Sequence, residues 1–474
     1  MDSSSGTKSE SCSRFGGLVN LAIRVARFAA TSVFLGILTG LGATVLTLIF
    51  YAVQYLAFGS IESAKNAVFS ALPWYRYVLS TTISMTIAGL AWYFLRKREN
   101  PPRIVTIPQA VFGSNMPIFS TVAHILLQIG IVGSGISIGR EVAPRELAAM
   151  IAQHYSRIFH VPAKTQRVLI ASAAGAGLAA VYHAPLAGTI LALGLLSKTQ
   201  GLGFYAWLNR ENGPALVNVV KNIAQSERMY CFPFALVMNY VAAFVVELLL
   251  HHSSYYNIPQ FSCAISWQIC VLAVAVGAVC GLVGYVFRLG IVWCRTHALR
   301  GVKMLCFMPV AGLVIGVSAC GFPHIMGNGR SLSQLAFSVS TSSHVEVVSN
   351  IMIILLLLAM MKMFATLIVL RAGASGGVLQ PSISTGACIG LVVGVISMKL
   401  PFIGSMLLNQ PEVLLLSAIF GAASLLTASR KSLWFALVLV AQLVDVPLIM
   451  IVPMAVSCIA ARSVTLPLRI FRRK

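Results

Sequence analysis

The sequence predicts an all-α polytopic membrane protein with an internal duplication and broken helices, and three observations carry that prediction. Hydrophobic residues make up 58% of the chain against 10% charged, and the mean hydropathy is +0.87; a soluble domain could not bury that much apolar surface. The apolar residues gather in stretches with few or no charges, over 28–57, 77–95, 118–138, 168–197, 231–250, 265–293, 304–321, 351–370, 386–399, 413–427 and 433–461. A crossing takes about 20 residues, so these read as about ten to twelve helical segments, some of them not full crossings. Finally, two glycine-rich breaks, each followed by a helix start with proline in its first turn, lie about half a chain apart.

Charge agrees with the membrane reading. The net charge of +22 comes from 34 Lys+Arg against 12 Asp+Glu, clustered between apolar runs as in Arg96-Lys97-Arg98 and at the C-terminal Arg472-Arg473-Lys474. The positive-inside rule accounts for this, whereas nucleic-acid binding would call for a soluble basic domain that the chain lacks. Lys8, Arg14, Arg24 and Arg27 precede the first span, so both termini are expected in the cytoplasm, with an even number of crossings. The ten cysteines are scattered and form no C-x-x-C pair, so they read as packing residues; neither metal nor cofactor is implied.

Taken in order, residues 1–20 are a polar, Ser-rich start without signal-peptide order, expected to be a disordered cytoplasmic tail. The first membrane half covers 21–200. Its opening helix carries Gly36, Gly40 and Gly42, which permit close helix contact. Trp74, Tyr75 and Tyr77 follow as an interfacial aromatic belt, and Pro101-Pro102 then end the next span. After the run from Ile118 comes Gly133-Ser134-Gly135-Ile136-Ser137-Ile138-Gly139-Arg140-Glu141, irregular backbone that stops where Pro144 fits the first turn of a helix. Broken backbone ending at a helix N-terminus inside a membrane leaves free N–H groups and the positive dipole end facing a cavity, which is an anion site. Glu141 is either functional there or a cap paired with Arg140 or Arg145. His183, beside Pro185, is either a proton carrier or a packed histidine at a kink.

Residues 201–230 are charged, with Gly and Pro, and read as the connection between halves; 231–465 form the second half and 466–474 a basic tail. The second half echoes the first. Arg371-Ala372-Gly373-Ala374-Ser375-Gly376-Gly377-Val378-Leu379-Gln380-Pro381 repeats the break, with Gly373 lying 240 residues after Gly133, and Gly421 lies 246 after Gly175. Asp445 is expected to cap a helix near Pro447.

Several of these segments carry a family resemblance. Gly139-Arg140-Glu141-Val142-Ala143-Pro144 resembles the G-[KR]-E-G-P motif of the CLC family of chloride channels and proton-coupled chloride exchangers, with Val142-Ala143 where the motif has one Gly. Gly376-Gly377-Val378-Leu379-Gln380-Pro381 is similar to its G-G-x-F-x-P, and Ala184-Pro185-Leu186-Ala187-Gly188 to its A-P-L-A-G. Phe322-Pro323 with Gly327 and Gly329, and Lys362 with Thr366, are similar too, so the resemblance spans about residues 100–465. It implies two inverted halves with re-entrant helices, a homodimer, and one anion pathway per subunit in a bacterial cytoplasmic membrane. A chain without the family's paired cytoplasmic nucleotide-sensing domains is of the prokaryotic type. Glu141 falls on the gating glutamate, whose carboxylate is expected in the outer anion site until protonated. Gly139 and Arg140 line the same turn, and Val378 and Leu379 offer amides to a central anion.

Three positions depart from that pattern. Pro102 stands where the family places the serine that coordinates the central anion, and the last tyrosine is Tyr285, so the tyrosine expected near the C-terminus is missing. The central site is therefore expected to rest on amides alone. Leu195 stands at the intracellular proton-transfer glutamate and cannot ionise. The reading is a chloride channel gated by Glu141, with a proton-coupled chloride, fluoride or nitrate antiporter as the alternative. A distant alternative is an intramembrane serine protease, because Gly373-Ala374-Ser375-Gly376 matches G-x-S-G, although no histidine follows Ser375.

Overall fold

Long apolar runs without proline make long helices, and the chain follows that rule. The computed structural model describes residues 5–62, 72–97, 104–199, 227–251, 255–259, 261, 265–342, 345–401 and 412–470. The first half holds α1 (Ser5–Phe58), α2 (Trp74–Arg96), α3 (Ile107–Val111), α4 (Ile118–Gly133), α5 (Val142–Ile158), α6 (Ala163–Tyr182) and α7 (Pro185–Thr199). The second holds α8 (Glu227–Leu250), α9 (Trp267–Thr296), α10 (Gly301–Gly321), α11 (Arg330–Ser342), α12 (Val345–Asn350), α13 (Met352–Ala372), α14 (Leu379–Lys399), α15 (Val413–Arg430), α16 (Leu433–Val444) and α17 (Ile451–Ile470).

Among the described residues nine helices are long and apolar enough to cross a membrane, and three shorter apolar ones, within α4, α7 and α16, are not. Their outward faces are apolar: Phe34, Ile37, Leu41, Val45 and Leu48 on α1 are exposed while Leu35, Leu46 and Phe50 are buried. A helix that is apolar on both faces has lipid on one of them. Helix α1 begins at Ser5, inside the stretch expected to be a disordered tail; no proline interrupts the chain from there to Phe58. Of the expected aromatic belt, Trp74 and Tyr75 are exposed, but Tyr77 is buried and its hydroxyl accepts from Leu72 N–H. Most of the 201–230 connection lies outside the described residues, as do 471–474.

The two halves are inverted repeats. In the first, α4, a break, α5, α6, a left-handed residue and α7 follow one another; in the second, α13, a break, α14, α15, a left-handed residue and α16 do the same. The left-handed residues are His183 (φ +51°) and Lys431 (φ +57°), each ending its helix. The breaks meet as an antiparallel β-bridge between Gly139 and Gly377, the sense that opposite topologies give. Close packing brings the breaks together: a Cβ on Gly177 of α6 would lie 2.4 Å from Pro144 O, and one on Gly421 of α15 would lie 2.2 Å from Gly386 O. Asp445 is left-handed at the C-cap of α16 (φ +54°), so it ends that helix and does not start the next one.

Candidate functional site

The site is the meeting point of the two breaks. After α4 the chain turns at Gly135 (φ +94°), and Ser134 and Ile136 N–H return to the carbonyls of Gly130 and Ile131. It then runs to Gly139, which exchanges two N–H···O bonds of 2.8 Å with Gly377. The Gly139 N–H, which lines the turn where the resemblance sets an anion, is thereby paired with Gly377.

Glu141 occupies the N-cap position of α5 but makes no side-chain bond to that helix, and no salt bridge joins it to Arg140 or Arg145 among the described residues. Its carboxylate instead caps the other half. Leu379 N–H, the first of α14, donates to Oε1 at 2.8 Å, and Tyr182 O–H donates to Oε2 at 3.2 Å. The carboxylate is wedged against the bridge: a Cβ on Gly139 would lie 2.0 Å from Oε2, and one on Gly377 would lie 1.8 Å from Oε1. Only glycine leaves that room. Glu141 is 1% exposed, and an ionised group so deep is held by donors and a helix dipole rather than by water. The carboxylate therefore sits on the Leu379 amide, one of those that the resemblance gives to an anion.

The surroundings fix this geometry. Val378 is the N-cap of α14, and its carbonyl accepts from Ser382 N–H and Oγ. Lys362 is buried, and its Nζ donates to the carbonyls of Ile325 at 2.7 Å and Gly327 at 2.8 Å; Gly327 N–H in turn donates to Gly135 O at 2.8 Å. Thr366 Oγ1 lies 3.4 Å from Ser137 Oγ. The helix before the second break is thus tied to the first.

Arg140 is buried with its guanidinium 4.7 Å over the Phe50 ring, and it lines a small cavity with Arg330, Tyr51, Tyr255 and His183. Two buried cations beside one cavity favour an anion there over a cation. Leu195 is buried on α7, and Pro102 lies outside the described residues. Ser375 Oγ accepts from Arg96 Nη2 at 2.9 Å, while Arg96 Nη1 donates to Gly373 O at 2.7 Å. Arginine cannot take a proton from the hydroxyl, so the protease alternative has no base at its nucleophile.

The residue that sequence reasoning missed is Tyr182. It ends α6, is fully buried, and stands edge-on to Tyr255 with ring centroids 5.1 Å apart. Its hydroxyl is a donor to the Glu141 carboxylate that the motifs did not mark. The available signal was a tyrosine closing a run of Ala and Gly next to His183.

A family model described as voltage gated chloride channel matches residues 84–466. A protein of Salmonella typhimurium described as voltage-gated ClC-type chloride channel ClcB is 26% identical over 377 residues, 78% of this chain and 79% of its own length. The Escherichia coli SMS-3-5 protein of the same description is 26% identical over 379 residues, with the same coverage. Among solved structures, a slow cyanobacterial Cl−/H+ antiporter superposes with a TM-score of 0.70 at 20% identity, over 93% of this chain and 95% of that one. A CLC-type fluoride/proton antiporter does so with a TM-score of 0.65 at 17% identity, over 94% and 96%. At those identities the likeness is one of fold.

Proposed function

The chain belongs to the voltage-gated chloride channel family, and on that premise we propose that it carries chloride across a membrane along a path that the Glu141 carboxylate closes. The Leu379 N–H, 2.8 Å from a Glu141 oxygen, carries this reading. A helix N-terminus that holds a carboxylate oxygen also holds a small monovalent anion once the carboxylate withdraws. Protonation is what withdraws it, because a neutral carboxyl loses most of its attraction to the dipole and to the Tyr182 hydroxyl. The vacated place offers the Leu379 amide and that hydroxyl, donors strong enough to strip water and weak enough to release the ion.

Of the two modes, proton-coupled exchange has the better support. Chloride and the ionised carboxylate compete for one amide, so anion entry requires a proton on Glu141, and two solved structures of similar fold are described as antiporters. Passive conduction is the second reading, favoured by the apolar Leu195 at the family's internal proton position. Fluoride and nitrate are alternative substrates of the same donors. A homodimer in a bacterial cytoplasmic membrane, with both termini inside, completes the proposal. The test is chloride efflux from liposomes with external pH and potential recorded together. Glu141→Gln should leave the path open and flatten the pH dependence of flux; an unchanged pH dependence would place the gate elsewhere.

A further inference from the structure

Exchange needs a second proton site between Glu141 and the basic end of the bundle, and Leu195 cannot be that site. We propose that Glu146 on α5 is the inner proton carrier, positioned by Gln128 and His124 of α4. This inference rests on the exchange reading above.

Glu146 is buried, with Gln128 Nε2 donating to its Oε2 at 2.8 Å and His124 Nε2 standing 3.7 Å from the same oxygen. The tautomer of His124 is fixed from behind. Trp92 Nε1–H, which can only donate, points at His124 Nδ1 at 2.9 Å, so neutral His124 carries its hydrogen on Nε2, facing Glu146. Gln128 is 1% exposed, and its Oε1 has no hydrogen-bond partner. That orphan oxygen has a use: the amide shows N–H to an ionised carboxylate, and after a half-turn it shows Oε1 to a protonated one. The pocket therefore serves both protonation states. A carboxylate kept only for structure would pair with a fixed cation, yet among the described residues no lysine or arginine lies within salt-bridge distance of Glu146.

The pocket is also in the right place. Glu146 is five residues further along the chain than Glu141, an axial rise of about 7.5 Å towards the basic end of α5. On the other side, His124 and Trp92 lead to Arg96, whose guanidinium lies 5.2 Å over the Trp92 ring at the end of α2. Arg157 of α5 bonds Asn115 at that same end. The charges acting on the pair are Arg145, which also acts with Glu141 and Arg430, and Arg96, which acts on His124. Helix α6 meets α5 through Gly177 against Pro144 and Arg145; α1 meets it through Gly42 against Leu147 and through Thr31 against Tyr155. The loop after α3 meets it through Ser114 and Met116 against Gln153.

The test uses the full chain in liposomes under an outward chloride gradient, with chloride and proton fluxes recorded together. Wild type should drive protons uphill. Glu146→Gln should keep chloride moving while proton flux falls at least tenfold, and Glu146→Asp, which still titrates, should retain coupling. A wild-type proton-to-chloride ratio in Glu146→Gln overturns the assignment and leaves exchange standing. If that variant moves neither ion, Gln128→Met decides: a lower ratio with a shifted pH profile supports the assignment, and a wild-type ratio and profile overturn it. If wild type itself moves chloride without protons, exchange fails and this inference fails with it, while gating by Glu141 remains.

Discussion

Tyr182→Phe isolates one hydroxyl at the gate. The ring stays, so the edge contact with Tyr255 is kept, and the Leu379 amide still holds the other carboxylate oxygen. What is lost is one O–H···O bond to an anion. Such bonds contribute about 1.5–3 kcal/mol, and at 3.2 Å this one is longer than the strongest of its kind, so about 1.4 kcal/mol is the apt figure, a factor of ten or one pH unit. The sign follows from which form makes the bond. The hydroxyl stabilises the ionised, seated carboxylate, so its removal lets a lower proton concentration open the gate. The pH of half-maximal chloride efflux should rise by about one unit, with the slope kept. Efflux from liposomes across the acid-to-neutral range measures it. An unmoved midpoint in a variant with normal maximal flux would mean that Tyr182 does not hold the closed gate.

Gly377→Ala should obstruct the seat shared by the Glu141 carboxylate and the anion. Its Cβ would lie 1.8 Å from Oε1 and 1.9 Å from Cδ, so neither fits there and chloride flux should fall at every pH; wild-type flux with wild-type pH dependence would contradict the wedge between the two glycines. Gly421→Ala acts on folding, since its Cβ would meet Gly386 O at 2.2 Å and Gly390 Cα at 2.6 Å. Overpacking of this kind costs about 1–3 kcal/mol, and a lowered thermal midpoint of the detergent-solubilised protein is the readout.

The parts legible in sequence were those written along the chain. Hydropathy marks the spans, and the glycines of 133–139 and 373–377 with Pro144 and Pro381 mark both breaks, because backbone that cannot be helical must be made of residues that tolerate it. What escaped is pairing through space. Glu141 meets Leu379 across 238 residues, a distance that no local pattern encodes. Glu146 was visible as a charge in an apolar protein, but its partner Gln128 is one helix earlier, where polarity reads as a flaw in a span. Tyr182 was hidden by composition: a buried tyrosine is ordinary until something accepts its proton.

For the gate proposed at Glu141, the pattern of bonds favours one motion. The frame around Glu141 is backbone: two bonds of the Gly139–Gly377 bridge, the Gly327 to Gly135 bond, and Lys362 clamped on the carbonyls of Ile325 and Gly327. Lys362 holds the 325–327 turn within the second half, and separating the halves would break the bridge and the Gly327 to Gly135 bond, three buried backbone hydrogen bonds, at a cost of several kcal/mol. Withdrawing the carboxylate breaks only its bonds to Leu379 and Tyr182, and protonation has already weakened both. The cheaper motion is rotation of the Glu141 side chain within a fixed cradle. The two glycines serve that motion, since they leave a slot wide enough for a carboxylate when it is seated and for an anion when it has gone.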